Sequence, residues 1–149
     1  MGQTPTPDAA LISDLAQRLR TALDTRVAID PLRTALPDND LAAAYAVQQA
    51  NTDHWLAQGR RLVGRKIGLT SKSVQAQLGV DQPDYGMLFA DMSVCDGEEV
   101  PAGTLLQPKV EAEIALVMER DLDVTQATMA ELISAVAYAL PAIEIVDSR

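Results

Sequence analysis

Three glutamates in this sequence stand in apolar company. In Val110-Glu111-Ala112-Glu113-Ile114-Ala115-Leu116-Val117-Met118 the alternation has period two. Val110, Ala112, Ile114, Leu116 and Met118 therefore share one face of a strand, and Glu111 and Glu113 share the other. The glutamate face continues with Ala115 and Val117, small or apolar residues that suit a covered surface. Glu144 sits among Ile143, Ile145 and Val146 in a second strand-like run. Neighbouring ionised carboxylates on a covered face repel one another and lose hydration, and a bound cation relieves both costs. Two structural alternatives remain open at this point: Glu-x-Glu is also the ordinary pattern of a solvated strand face, and Glu144 could form a buried ion pair with Lys109 or Arg149.

The donor types choose among cations. The chain has one histidine, His54, and one cysteine, Cys95, neither close in sequence to the glutamates. An all-carboxylate set suits a hard ion, Mg2+ or Mn2+, and offers zinc no imidazole or thiolate. Three monodentate glutamates would fill half of an octahedron, leaving room for water and for a chelating ligand such as a 2-oxo acid. His54 falls on the polar side of a helix near its end, where a surface role is expected. Cys95 reads as a small packed residue in a strand-like context, and a single cysteine excludes an internal disulfide.

The elements that must position these groups are legible in outline. Leu11, Ile12, Leu15, Leu19 and Leu23 recur at helical spacing over residues 8–25. The acidic run Pro37-Asp38-Asn39-Asp40 opens a second helix, expected to end near Gln58 at Gly59 and to bury Leu41, Ala44, Tyr45, Trp55 and Leu56. Residues 62–70 suggest a strand, and residues 71–78 a short helix closed by Gly79. Gln82-Pro83-Asp84-Tyr85-Gly86 has the chemistry of a loop, and turns are expected at Asp96-Gly97 and at 101–103. Thr128 and Glu131 form a capping-box pattern before Leu132, Ile133, Val136, Ala137 and Leu140, a helical stripe expected to stop at Pro141. A final strand over residues 142–146 holds Glu144. The class is α+β, with a helical region at 1–59 and a β-rich region at 60–149.

Composition narrows the partners. The 149 residues are 48% hydrophobic, enough for a core, and the net charge of −9 would repel a nucleic-acid backbone. The longest apolar runs are too short to span a bilayer, and Met1-Gly2-Gln3-Thr4-Pro5 lacks a leader pattern, so the expectation is a cytoplasmic protein with no membrane or nucleic-acid partner.

Four separated stretches then suggest a family. Gly64-Arg65-Lys66-Ile67-Gly68-Leu69-Thr70, Gln77-Leu78-Gly79-Val80-Asp81-Gln82-Pro83-Asp84-Tyr85-Gly86, Leu88-Phe89-Ala90-Asp91-Met92 and Gln107-Pro108-Lys109-Val110-Glu111-Ala112-Glu113-Ile114-Ala115 occur in this order. Together they resemble the 2-keto-4-pentenoate hydratase family of the fumarylacetoacetate hydrolase superfamily, from about Asp8 to Arg149. The resemblance implies N-terminal helices followed by the first part of a mixed β-roll or barrel-like core, so that 60–149 would be a partial catalytic domain cut short at its C-terminal end. It implies a metal held by Glu111, Glu113 and Glu144, and catalytic roles for Lys66 and Asp84. Read without the family, those two would be a snorkelling strand lysine and a turn residue. The implied substrate is a small 2-oxo or 2-hydroxy-dienoic acid such as 2-hydroxypenta-2,4-dienoate, hydrated to 4-hydroxy-2-oxopentanoate in aromatic-ring catabolism, by a homo-oligomer. The alternatives are 4-oxalocrotonate decarboxylase and, in another class, an inactive metal-binding or assembly module.

Overall fold

A computed structural model of the protein describes residues 8–36 and 40–149. Residues 1–7 and 37–39 lie outside that description, and with them the chain start and the first three residues of the acidic run before the second helix. The elements are helix α1 (Ala9–Thr25), helix α2 (Leu41–Ala57), strand β1 (Leu62–Gly68), helix α3 (Lys72–Leu78), strand β2 (Asp84–Phe89), strand β3 (Pro108–Met118), helix α4 (Met129–Ala135) and strand β4 (Val136–Asp147), with short 3-10 turns at Leu32–Thr34 and Ala90–Met92. The α+β class expected from the sequence is therefore found. The chain divides into two compact units, one ending at Thr104 and joined by Arg149, the other formed by Leu105–Ser148.

The first unit is built on a helix pair. Asp8 caps α1 by accepting the Ala10 N–H at 3.0 Å, and Asp40 caps α2 by accepting the Ala43 N–H at 2.9 Å, each satisfying an otherwise orphaned donor. Ile12, Leu15 and Ala16 of α1 pack against Ala43 and Val47 of α2 to make the core. The buried face of α2 is thus not the expected one: Leu41 and Leu56 are exposed, and Ala43, Val47, Asn51 and Thr52 turn inward. The polar pair is admitted because Arg20 Nη1 donates to Asn51 Oδ1 at 2.6 Å and the Thr52 hydroxyl donates to the Gln48 carbonyl at 3.0 Å. Gly59 follows α2 at φ +84°, as expected for a helix stop.

Strands β1 and β2 form an antiparallel ladder attached to α2 through one face. Tyr85 stacks on Tyr45 with ring centroids 4.7 Å apart, and Phe89 meets Trp55 edge-on at 5.6 Å. Arg60 lies over both Trp55 and Phe89, at 4.8 and 4.4 Å from their centroids, and grips Asp91 through two hydrogen bonds of 2.8 Å. Asp84, Tyr85 and Gly86 belong to β2 rather than to the expected loop, because they complete the ladder opposite Gly68, Ile67 and Lys66. Cys95 is exposed, not packed; it lies just before the Gly97 turn, outside any strand, and its N–H is bonded by Glu98 Oε2.

The Arg60 grip has a testable pH signature. Its hydrogen bonds hold the Asp91 carboxyl below its ordinary range. A depressed folded-state value adds stability above the unfolded value of about 3.9, and that stability is lost as pH falls through the folded value. Asp91 is 57% exposed, so Asp91→Asn should cost only about 0.5–1 kcal/mol at pH 7. Urea denaturation of both proteins should show this gap closing below about pH 4; a gap independent of pH would mean that the ion pair contributes nothing.

The second unit is a long antiparallel hairpin, β3 with β4, plus α4. The capping box forms as expected: Thr128 Oγ1 accepts the Glu131 N–H, and Glu131 Oε2 accepts the Thr128 N–H at 2.8 Å. The helix, however, ends at Ala135 instead of reaching Pro141. Val136 and Leu140 fit the expected helical stripe, but with Tyr138 between them they also alternate, and pairing with Met118, Val117 and Ala115 decides for strand. Pro141 is tolerated because a strand of a two-stranded ladder has a free edge. Ala115 and Val117 are half-buried on the glutamate face as expected, whereas Val110, Ile114 and Ile143 on the opposite face are 72–74% exposed.

Candidate metal centre

The β3–β4 register brings the three glutamates together. Glu111 is directly opposite Glu144, and Glu113 follows two residues on, so all three project from one face of the hairpin. One oxygen from each lies within 4.8 Å of the others. Asp147 fixes this end of the ladder, its Oδ1 accepting the Leu106 and Gln107 N–H groups at 2.9 and 2.8 Å. Sequence reasoning passed over Asp147; its signal was a carboxylate ending an apolar strand.

Unit like charges about 4 Å apart repel by about 1 kcal/mol in water and about 4 kcal/mol near a protein surface. Glu111 is exposed and Glu144 half-buried, so the arrangement falls between those limits and a divalent ion would reverse its sign. Oxygens around a six-coordinate magnesium at about 2.1 Å are about 3 Å apart when adjacent and about 4.2 Å when opposite. A limit of 4.8 Å is a small side-chain rotation away from that shell, so the donor set fits a hard divalent cation in both spacing and chemistry.

Lys66 and Asp84 meet on the other hairpin. Lys66 pairs with Gly86 and Gly68 pairs with Asp84, so these four residues share one face of β1–β2, while Tyr85 and Phe89 use the opposite face to hold α2. The chain leaves β1 through Leu69, which adopts φ +55°, a conformation uncommon for leucine. Gln75, almost fully buried, braces that turn: its Nε2 donates to the Leu69 carbonyl at 2.6 Å, and its Oε1 accepts from Lys72 Nζ at 3.0 Å. Gln75 was another omission from the sequence reading, since a glutamine in a short helix announces no partner six residues earlier. His54 is exposed, and its ring Nε2 lies 3.0 Å from the Gln58 side-chain amide four residues on, in keeping with a surface role.

Among the described residues no helix is long and apolar enough to cross a membrane. No protein-family model matches the chain. Curated proteins do. The chain is 62% identical over 143 residues to 2-keto-4-pentenoate hydratase 2 of Dechloromonas aromatica, covering 96% of this chain and 53% of that protein. It is 55% identical over 149 residues to the TodF product hydratase of Pseudomonas putida, covering 100% of this chain and 56% of that protein. Among solved structures, 4-oxalocrotonate decarboxylase from Pseudomonas putida G7, complexed with magnesium and adipate, superposes with a TM-score of 0.89 at 33% identity, covering 97% of this chain and 55% of that one. The chain spans about half the length of the relatives it matches. Four motifs in order, a shared fold and this identity lead to one conclusion: over nearly its whole length the chain is similar to about half of the 2-keto-4-pentenoate hydratases.

Proposed function

We propose that this chain provides the metal-binding and acid–base groups of a hydratase that converts 2-hydroxypenta-2,4-dienoate to 4-hydroxy-2-oxopentanoate. The observation that supports this most is the convergence of Glu111, Glu113 and Glu144 on one hairpin face. A magnesium or manganese ion held by these residues would supply Lewis acidity toward the 2-oxygen and a carboxylate oxygen of the substrate. Lys66 is assigned to hold the negative charge of the substrate carboxylate or of the enolate that forms during reaction. Asp84 is assigned to move protons. The balance is one water consumed: a proton reaches C5 as the dienol becomes a conjugated 2-oxo-3-enoate, and water then adds its hydroxyl to C4 and a proton to C3.

Hydration is preferred over decarboxylation because the 62% and 55% identical proteins bear hydratase names, whereas the decarboxylase is 33% identical. A cytoplasmic homo-oligomer fits the same reading, with Val110, Ile114 and Ile143 as an apolar face available for burial. One preparation should be assayed for dienol hydration, for CO2 release from oxalocrotonate and for Mn2+ binding. Dienol consumption with formation of 4-hydroxy-2-oxopentanoate is the expected result. CO2 release alone would transfer the assignment to the decarboxylase, and Mn2+ binding without either reaction would favour a metal-binding module.

A further inference from the structure

Four glycines, Gly59, Gly79, Gly97 and Gly103, have positive φ and serve turns or helix ends. Gly64, Gly68 and Gly86 do not; all three lie in strands, where glycine weakens the ladder and so marks a close approach when it persists. At Gly64 an added Cβ would meet nothing within 4 Å. At Gly68 it would overlap Asp84 Oδ1 and stand 3.0 Å from Lys66 Nζ. At Gly86 it would press on the Lys66 stem, 3.2 Å from Cγ and 3.3 Å from Cδ. The Lys66 side chain thus lies across Gly86 and ends above Gly68, where the Asp84 carboxylate arrives from the opposite strand.

We propose that Gly68, supported by Gly86, is a positioning residue whose missing side chain leaves the floor on which the Lys66 ammonium and the Asp84 carboxylate are set beside each other for a small carboxylate substrate. The inference rests on the roles given to Lys66 and Asp84 under the proposed function. The atoms that a methyl at position 68 would displace are the far ends of two flexible side chains, not backbone. Alanine at 68 therefore leaves the ladder intact and moves the two groups whose placement governs the chemistry. A displacement on the order of 1 Å at reacting groups costs about 100-fold in rate.

The test compares Gly68→Ala with Gly64→Ala in the chain labelled with 13Cε-lysine. The chain has three lysines, Lys66, Lys72 and Lys109, and Lys66→Arg identifies the Lys66 resonance by its loss. In Gly68→Ala the Lys66 resonance should move while those of Lys72 and Lys109 stay. Its thermal midpoint should stay within a few degrees of the parent by about the margin of a surface change. Dienol turnover should fall about 10- to 100-fold in kcat, with a smaller change in KM. Gly64→Ala should match the parent in every reading. If Gly68→Ala fails to fold, Gly86→Ala, which presses only on the lysine stem, should move the same resonance and lower kcat by less. An unmoved Lys66 resonance, or a moved one with parental turnover, overturns the proposal. A parent chain without turnover would instead count against the proposed function, and the resonance alone would then decide whether Gly68 sets the lysine.

Discussion

Glu144→Gln should lower Mn2+ affinity by about 100-fold or more, measured by titration with the free ion followed by paramagnetic resonance. The substitution keeps the side chain's shape and one oxygen donor but removes a full charge from a hard-ion site. Loss of an outer-sphere partner already costs about 10- to 100-fold in metal affinity, so loss of a charged ligand should cost at least as much. Glu111 and Glu113 would remain on β3 alone, and the cross-strand arm of the cluster, set by the pairing of Glu111 with Glu144, would be neutral. Linkage gives a second reading. An ion at 100 times its dissociation constant stabilises the fold by about 2.7 kcal/mol, so Mn2+ should raise the parent's thermal midpoint and leave that of Glu144→Gln nearly unmoved. Glu119→Gln is the control, an exposed glutamate of the same unit that is outside the cluster and should bind as the parent does. Parental affinity in Glu144→Gln would remove the metal assignment.

That glutamate cluster was legible because strand periodicity is local. Glu111 and Glu113 share a face whatever the rest of the chain does, and only the register that sets Glu144 opposite Glu111 needed coordinates. Where local signals were ambiguous, long-range pairing decided. Val136 and Leu140 suit a helical stripe and, with Tyr138, an alternating one as well, and the ladder with β3 took them. The inward face of α2 was misread because Ala-rich sequence is apolar almost all round. Its choice depends on Arg20, 31 residues from the buried Asn51 that it bonds. Asp84 carries turn chemistry from Pro83, yet its neighbours across the ladder are Gly68 and Lys66. Gly86 carried loop chemistry in the sequence and Gly68 carried no signal of its own; neither has a positive φ, and the Lys66 and Asp84 side chains beside them indicate space-making.

Lys66→Met separates charge from shape at the other hairpin. Methionine retains an unbranched stem of similar reach, so packing across Gly86 should persist and the ladder of β1 with β2 should stay formed. What disappears is the ammonium. If it balances charge on the substrate carboxylate or on the developing enolate, dienol turnover should fall about 100- to 10,000-fold, as for loss of a positioned acid–base or charge-stabilising group. The partition between constants then distinguishes the two roles. A loss confined to KM would mean that Lys66 contributes equally to bound substrate and transition state, whereas equal losses in kcat and kcat/KM would mean that its charge matters only once the enolate forms. Lys66→Arg discriminates further, since a planar guanidinium keeps the charge but cannot occupy the same point above Gly68. Partial recovery of binding without recovery of kcat is the expected result, and full activity in Lys66→Met would exclude the lysine from the chemistry.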